Sequence, residues 1–237
     1  MKRFLKIFLK ISIGLIVFLL TSFAIVYLVY NEPLPKSSNP EQADVLAQKM
    51  LSAINNETYV KTRNVEWTFA GGAHEYKWDK EMGKVAVKWN DYLVNLNLAN
   101  PNKSKVYKNS KEVLDDNKSE IIQKATDNFN NDSFWLVAPF KVFDKGTKRY
   151  LVTLEDGSDG LLVTYSSGGS TPGDSYLWKL QPNGFPISFK MWVKIIPIGG
   201  LEASWGDWKV MENGAYLPSS HKLGPITLDM GALKAYN

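Results

Sequence analysis

The chain has 237 residues, 44% apolar, 22% charged and 13% aromatic, a globular composition without low-complexity bias. Its formal charge is +4, but Lys2, Arg3, Lys6 and Lys10 supply the whole excess, and beyond Tyr30 the two signs balance. A balanced domain lacks the surplus of cations that displaces counterions from phosphate, so nucleic acid is not an expected partner. The absence of cysteine excludes disulfides, thiolate metal sites and cysteine nucleophiles.

Residues 1–30 form a cytoplasmic tip and a signal-anchor. Ile11 to Tyr30 carries no charge, and at about 1.5 Å per residue it spans roughly the 30 Å hydrocarbon core. All four cations precede the run, which holds the N-terminus in the cytoplasm and sends everything after Asn31 outward. The expected place is the inner membrane, with a single pass and the C-terminal domain in the periplasm or otherwise outside the cytoplasm. The other reading is a cleaved signal peptide. Ser22-Phe23-Ala24 has the small-x-small form of a cleavage site, although apolar Ile25–Tyr30 follows it. Residues 31–39 are a polar linker, with Pro33 and Pro35 favouring extended geometry. Residues 40–237 then form one exterior domain.

That domain opens on a helix. Asn39 is a good N-cap, Pro40 suits the first helical position, and Ala43, Leu46, Ala47, Met50, Leu51 and Ile54 make one apolar stripe. The period then drops to 2. Val65, Trp67 and Phe69, then His74, Tyr76 and Trp78, then Val85, Val87 and Trp89, then Tyr92, Val94, Leu96 and Leu98 alternate with polar neighbours. Gly71-Gly72, Met82-Gly83 and Asn90-Asp91 punctuate them, which predicts an antiparallel meander. An edge strand is expected at Lys105–Lys108. Ser110 then caps a second helical stretch toward Phe129, with Leu114, Ile121, Ile122, Ala125 and Phe129 inward. The apolar run Phe134–Phe143 should follow that helix, broken by Pro139, and fold over the open mouth of the sheet with Trp135 inward.

The second half reads as strands near Lys148–Glu155, Leu161–Ser166, Ser175–Gln181, Ile187–Ile195, Glu202–Met211, Ala215–Leu223 and Ile226–Asp229. Ile187, Phe189, Met191, Val193 and Ile195 form the inward set of one of them, and the alternation slips at Gly206. The fold class is therefore α+β. A large curved antiparallel sheet, an unclosed barrel capped by helices, is preceded by one N-terminal transmembrane helix.

Catalytic motifs are incomplete. His74-Glu75 begins like a zinc-protease motif, but Trp78 stands where the second histidine belongs. His221 falls in a turn-like Pro218-Ser219-Ser220 stretch. Gly168-Gly169-Ser170-Thr171-Pro172 lacks the last glycine of a nucleophile elbow. Asp156–Gly160 lacks the spaced ligands of a calcium loop. No catalytic residue, metal site or cofactor is expected, and the chain is not read as an enzyme.

What remains is aromatic. Trp67, Phe69, Trp78, Trp89, Trp135, Phe140, Trp178 and Met191 are the candidates to line an apolar cavity, or its lid, between sheet and helices. The same residues serve equally as core packing, and both readings stand at this point. Glu66-Trp67-Thr68-Phe69, His74–Asp79, Phe134–Lys141, Tyr176–Leu180 and Met191-Trp192-Val193, set in this order of helix, meander, helical insertion and further strands, resemble the lipoprotein-localisation carrier (LolA-like) superfamily in its membrane-anchored form. The resemblance covers roughly Pro40–Asp229. It implies an apolar ligand, a lipid or lipoprotein acyl group, as partner. The alternative is a structural module with a self-filled barrel whose surface binds another envelope protein.

Overall fold

The uncharged run lies within α1, Lys2–Tyr30, whose large apolar side chains are exposed among the described residues. From Lys6 to Tyr30 it is long and apolar enough to cross a membrane, as an anchor or a signal sequence. The computed structural model describes residues 2–36 and 39–237. Met1 and the linker residues Ser37 and Ser38 lie outside the described residues, as do the side chains of Lys2, Arg3 and Leu5.

Helix α2, Pro40–Ala53, starts where the sequence places it. Asn39 accepts the amide of Gln42, and Ala43, Ala47, Met50 and Leu51 are buried. A short α3, Asn56–Lys61, follows and buries Tyr59. The expected meander is present as β1 Asn64–Phe69, β2 His74–Asp79, β3 Lys84–Trp89 and β4 Tyr92–Asn97. β5, Lys105–Lys108, and β6, Lys111–Glu112, extend it on one side.

The second long helix departs from expectation at both ends. Ser110 does not cap it, because Lys111-Glu112 pairs back on β5, and Leu114 is exposed rather than inward. Helix α4 runs Lys118–Val137 and buries Ile122, Ala125, Phe129, Asp132, Ser133, Leu136 and Val137 as one stripe. Phe134–Val137 is thus its last turn, and Pro139 sits in the 3-10 turn Ala138–Lys141 that ends it. The apolar run is therefore the continuation of a helix, not a separate segment after one.

The remaining strands are β7 Thr147–Thr153, β8 Asp159–Tyr165, β9 Ser175–Leu180, β10 Pro186–Trp192, β11 Leu201–Ser204, β12 Gly206–Val210, β13 Tyr216–Leu223, β14 Ile226–Asp229 and β15 Lys234–Tyr236. The slip at Gly206 appears as the break between β11 and β12. A register shift between Pro186 and Ser188 turns Ile187 outward, and the strand ends at Trp192, so Ile195 is exposed on a loop.

The strands form two antiparallel sheets, unclosed as expected. One has the order β15-β1-β2-β3-β4-β5-β6, and the other has β12-β13-β11-β10-β9-β8-β7 with β14 beside β13. The chain end stitches them together. Met230 donates to Ser219 of β13 (2.9 Å) and accepts from Thr68 of β1 (3.1 Å), after which β15 joins β1. Two large apolar clusters follow the two sheets, the first also taking Leu217 of β13, and Trp135 and Phe140 pack against both.

Candidate functional site

A cavity of about 640 Å³ runs along α4 between the two sheets. Trp78 and Leu96 line it from the first sheet, Tyr176, Phe189 and Met191 from the second, and Phe129, Phe134 and Trp135 from the helix. The volume falls within the range of small-ligand sites, which are mostly apolar with a few polar groups. Phe134 sits 4.5 Å from Tyr176, Trp135 is 5.7 Å from Phe189, and Trp78 meets Phe129 edge-on at 5.2 Å. These contacts arise because α4 presents Phe129 and Phe134 toward opposite sheets while Trp135 bridges both.

Polar groups also line it, among them Thr126, Asn130 and Ser133 along α4. Tyr165 and Tyr176 line the wall, and burial, the largest cause, holds both phenols well above their usual pKa. They stay neutral donors across the physiological range. Lys141, Asp144, Lys145 and the Ser167–Thr171 loop form the rim, with Lys141 and Asp144 paired at 2.7 Å. Buried Asp174 accepts from Thr171 (2.5 Å) and from the Lys194 amide (3.0 Å), which holds two rim loops together.

Of the eight candidate residues, Trp78, Trp135 and Met191 reach the cavity. The other five are packing. Trp67, Phe69 and Trp89 lie in the first core, with Trp67 stacked on Tyr76 at 4.5 Å under Phe129. Trp178 lies in the second core, and Phe140 stacks on Tyr59 at 3.9 Å. Phe129, Phe134, Tyr176 and Phe189 also line the wall; the sequence puts Phe129 and Phe189 on inward faces and Phe134 in the run over the mouth, but none of the four among the cavity candidates. The helical spacing that carries Phe129 into Phe134 continues to Val137, because Pro139 lies beyond the end of α4.

Two histidines are placed differently from one another. His74, on β2, meets Asp132 of α4 at 2.6 Å, and Tyr76 donates to the same carboxylate oxygen at 2.6 Å. Asn131 donates to its other oxygen at 2.8 Å. Asp132 is buried with every bond turned toward helix or sheet, so the group ties α4 to β2. His221 does not lie in a turn. It is fully buried at the centre of β13 and edge-on to Trp205 at 4.7 Å. Its Nδ1 lies 2.8 Å from the Ser204 carbonyl, which only accepts, so Nδ1 carries the proton. Among the described residues, no group of three His, Asp or Glu side chains is placed to hold a metal ion.

No known protein family and no curated protein sequence matches the chain. Among solved structures, it is similar to a DUF1329 family protein from Desulfovibrio piger, at 11% identity and a TM-score of 0.40, over 83% of this chain and 93% of that one.

Proposed function

We propose that this is a membrane-anchored, non-enzymatic envelope domain that binds an apolar ligand, a lipid or lipoprotein acyl group, in the cavity along α4. The observation that carries the reading is the cavity itself. Its walls are largely aromatic and aliphatic, from both sheets and α4, and the charged and hydroxyl groups of Lys141, Asp144, Lys145 and Ser167–Thr171 that also line it suit the polar head of an acyl chain. Acting as an anchor, α1, which is long and apolar enough to span a membrane, would hold such a site beside a source of acyl chains, with the four preceding cations keeping the N-terminus inside and the domain outside the cytoplasm. A second reading, a self-filled module that binds another envelope protein, draws support from the five aromatic candidates that are packed in the cores.

The two separate on a titration. Both cores are built from residues from Ala43 onward, so the chain from Asn31 onward carries both. It should bind a fluorescent fatty-acyl probe saturably, one per chain, and release it to unlabelled fatty acid. Val193→Trp, at a half-exposed wall position, should fill the space and weaken the probe at least tenfold without lowering Tm. A folded domain that takes up no probe would leave the interaction module as the reading.

A further inference from the structure

We infer that the loop Val193–Gly200, between β10 and β11, rests on the bilayer that holds α1, and that the cavity opens toward that bilayer. The location rests on α1 staying in the bilayer as an anchor; what passes through the opening rests on the acyl-binding reading. The segment just past α1 is seated on this loop. Glu32 donates its amide to the Gly199 carbonyl (2.9 Å), and Gly199 donates to Asn31 Oδ1 (2.8 Å). Trp192 Nε1 donates to the Glu32 carbonyl (2.8 Å), and Lys190 Nζ reaches both Glu32 carboxylate oxygens at 2.7 and 2.6 Å. The seat needs glycine. A Cβ on Gly199 would lie 2.8 Å from the Glu32 carbonyl oxygen, and one on Gly200, at φ +81°, would lie 2.6 Å from Glu32 Cβ.

Distance then fixes the membrane. Glu32 is two residues past Tyr30, a reach of at most about 7 Å. The 25 residues from Lys6 to Tyr30 rise about 37 Å against a hydrocarbon core of about 30 Å, so Tyr30 ends at the headgroups. Tyr27 and Tyr30 stand in the last turn of α1 and Trp192 bonds to Glu32 just beyond it, and amphipathic rings of this kind gather at membrane interfaces. The loop itself reads Lys194-Ile195-Ile196-Pro197-Ile198, and Ile195 is 70% exposed. Apolar side chains projecting beside a membrane anchor are accounted for by insertion at the interface. Ile195 and Ile196 also belong to the cavity wall. An acyl chain can therefore pass from the outer leaflet into the cavity along apolar surface, without crossing water.

The chain has no cysteine, so single labels are clean. The full chain with Pro197→Cys or Ile198→Cys, carrying a nitrobenzoxadiazole label, would be reconstituted in phosphatidylethanolamine–phosphatidylglycerol vesicles containing doxyl-labelled phosphatidylcholine. Asn183→Cys, at the opposite end of β10 and about 24 Å away along the strand, is the reference. Lipid-borne quenching at least threefold stronger at 197 and 198 than at 183, with iodide quenching reversed, is the expected result. Equal quenching at both ends, in variants with unchanged Tm, overturns the membrane contact even if the Asn31 chain binds acyl probe. Strong quenching at the loop without any probe binding keeps the contact and removes the acyl route.

Discussion

Tyr76 of β2 donates its hydroxyl to Asp132 of α4 at 2.6 Å, and the same carboxylate oxygen meets His74. Burial, followed by the Asp132 charge and hydrogen bond, pushes the Tyr76 phenol far above its usual pKa, so it remains a donor. A buried carboxylate on α4 with two partners on β2 fixes where the helix lies over the first sheet, and hence one wall of the cavity. Tyr76→Phe should cost about 1.5–3 kcal/mol, the range for a hydrogen bond to a charged group. Asp132→Leu should cost about 3–5 kcal/mol, since it leaves His74 and Tyr76 without their acceptor. Urea unfolding of the chain from Asn31 onward measures both, and losses below 0.5 kcal/mol on the order of surface changes would show that the tether does not hold the helix.

His221 gives the fold a pH dependence. Burial lowers its pKa to about 4 from the usual 6.5, against a smaller opposing pull from the Ser204 and Trp135 backbone. Its folded value is depressed, so the native state keeps the ring neutral while the unfolded chain takes up a proton first. The contribution is fully present above pH 6.5 and is lost as pH falls toward 4, with an upper bound of about 3 kcal/mol. His221→Asn keeps a donor for the Ser204 carbonyl but cannot titrate. Unfolding free energy measured at pH 7 and at pH 4.5 should fall less in the variant than in the parent, and equal falls would place the acid sensitivity elsewhere.

The two sheets are joined where Gly231 passes β1. A Cβ there would lie 1.8 Å from Thr68 Oγ1, at a backbone φ of +56°. Gly231→Ala should destabilise by about 2–4 kcal/mol, combining a clash with left-handed strain. Thr68→Ala removes the clashing oxygen, so the double variant should recover part of the loss and retain about 1 kcal/mol of strain. Additive single effects in that cycle would mean that the two residues do not touch.

The parts legible from sequence were those in which one face is buried and the other wet. β1–β4 and α2 lie within a residue or two of their expected limits because their periods of 2 and 3.6 are unbroken. Other elements depend on partners far away in the chain. Lys111-Glu112 looked like the lead-in to a helix, yet it pairs with β5. Pro218 looked like a turn, yet it stands opposite Trp208 within β13 and carries His221 into the core. The site was half legible for a related reason. Core and cavity share the inward face of every strand, so alternation selects Trp67 and Trp78 alike. Which one meets open space depends on where α4 crosses the sheet, and that is set by Phe129 and by Asp132, a polar residue inside the buried stripe.

Trp135 tests the cavity most directly, because it is wall and core together. It packs against both apolar clusters, lies 5.4 Å from His221 and 5.7 Å from Phe189, and lines the cavity from the last full turn of α4. Trp135→Ala should therefore lower stability by about 3–5 kcal/mol, whatever the cavity does. The space it vacates is continuous with the cavity, so the variant should accept longer acyl chains. A series of fatty acids of increasing length, competed against the fluorescent probe on the chain from Asn31 onward, should show its optimum displaced toward longer chains in Trp135→Ala. Trp135→Phe should lie between variant and parent in both stability and optimum. If stability falls while the length optimum stays fixed, the indole is only a core residue and the ligand, if bound, lies elsewhere along α4. The length optimum is thus the readout that stability alone cannot move, and it assigns Trp135 to the wall or to the core.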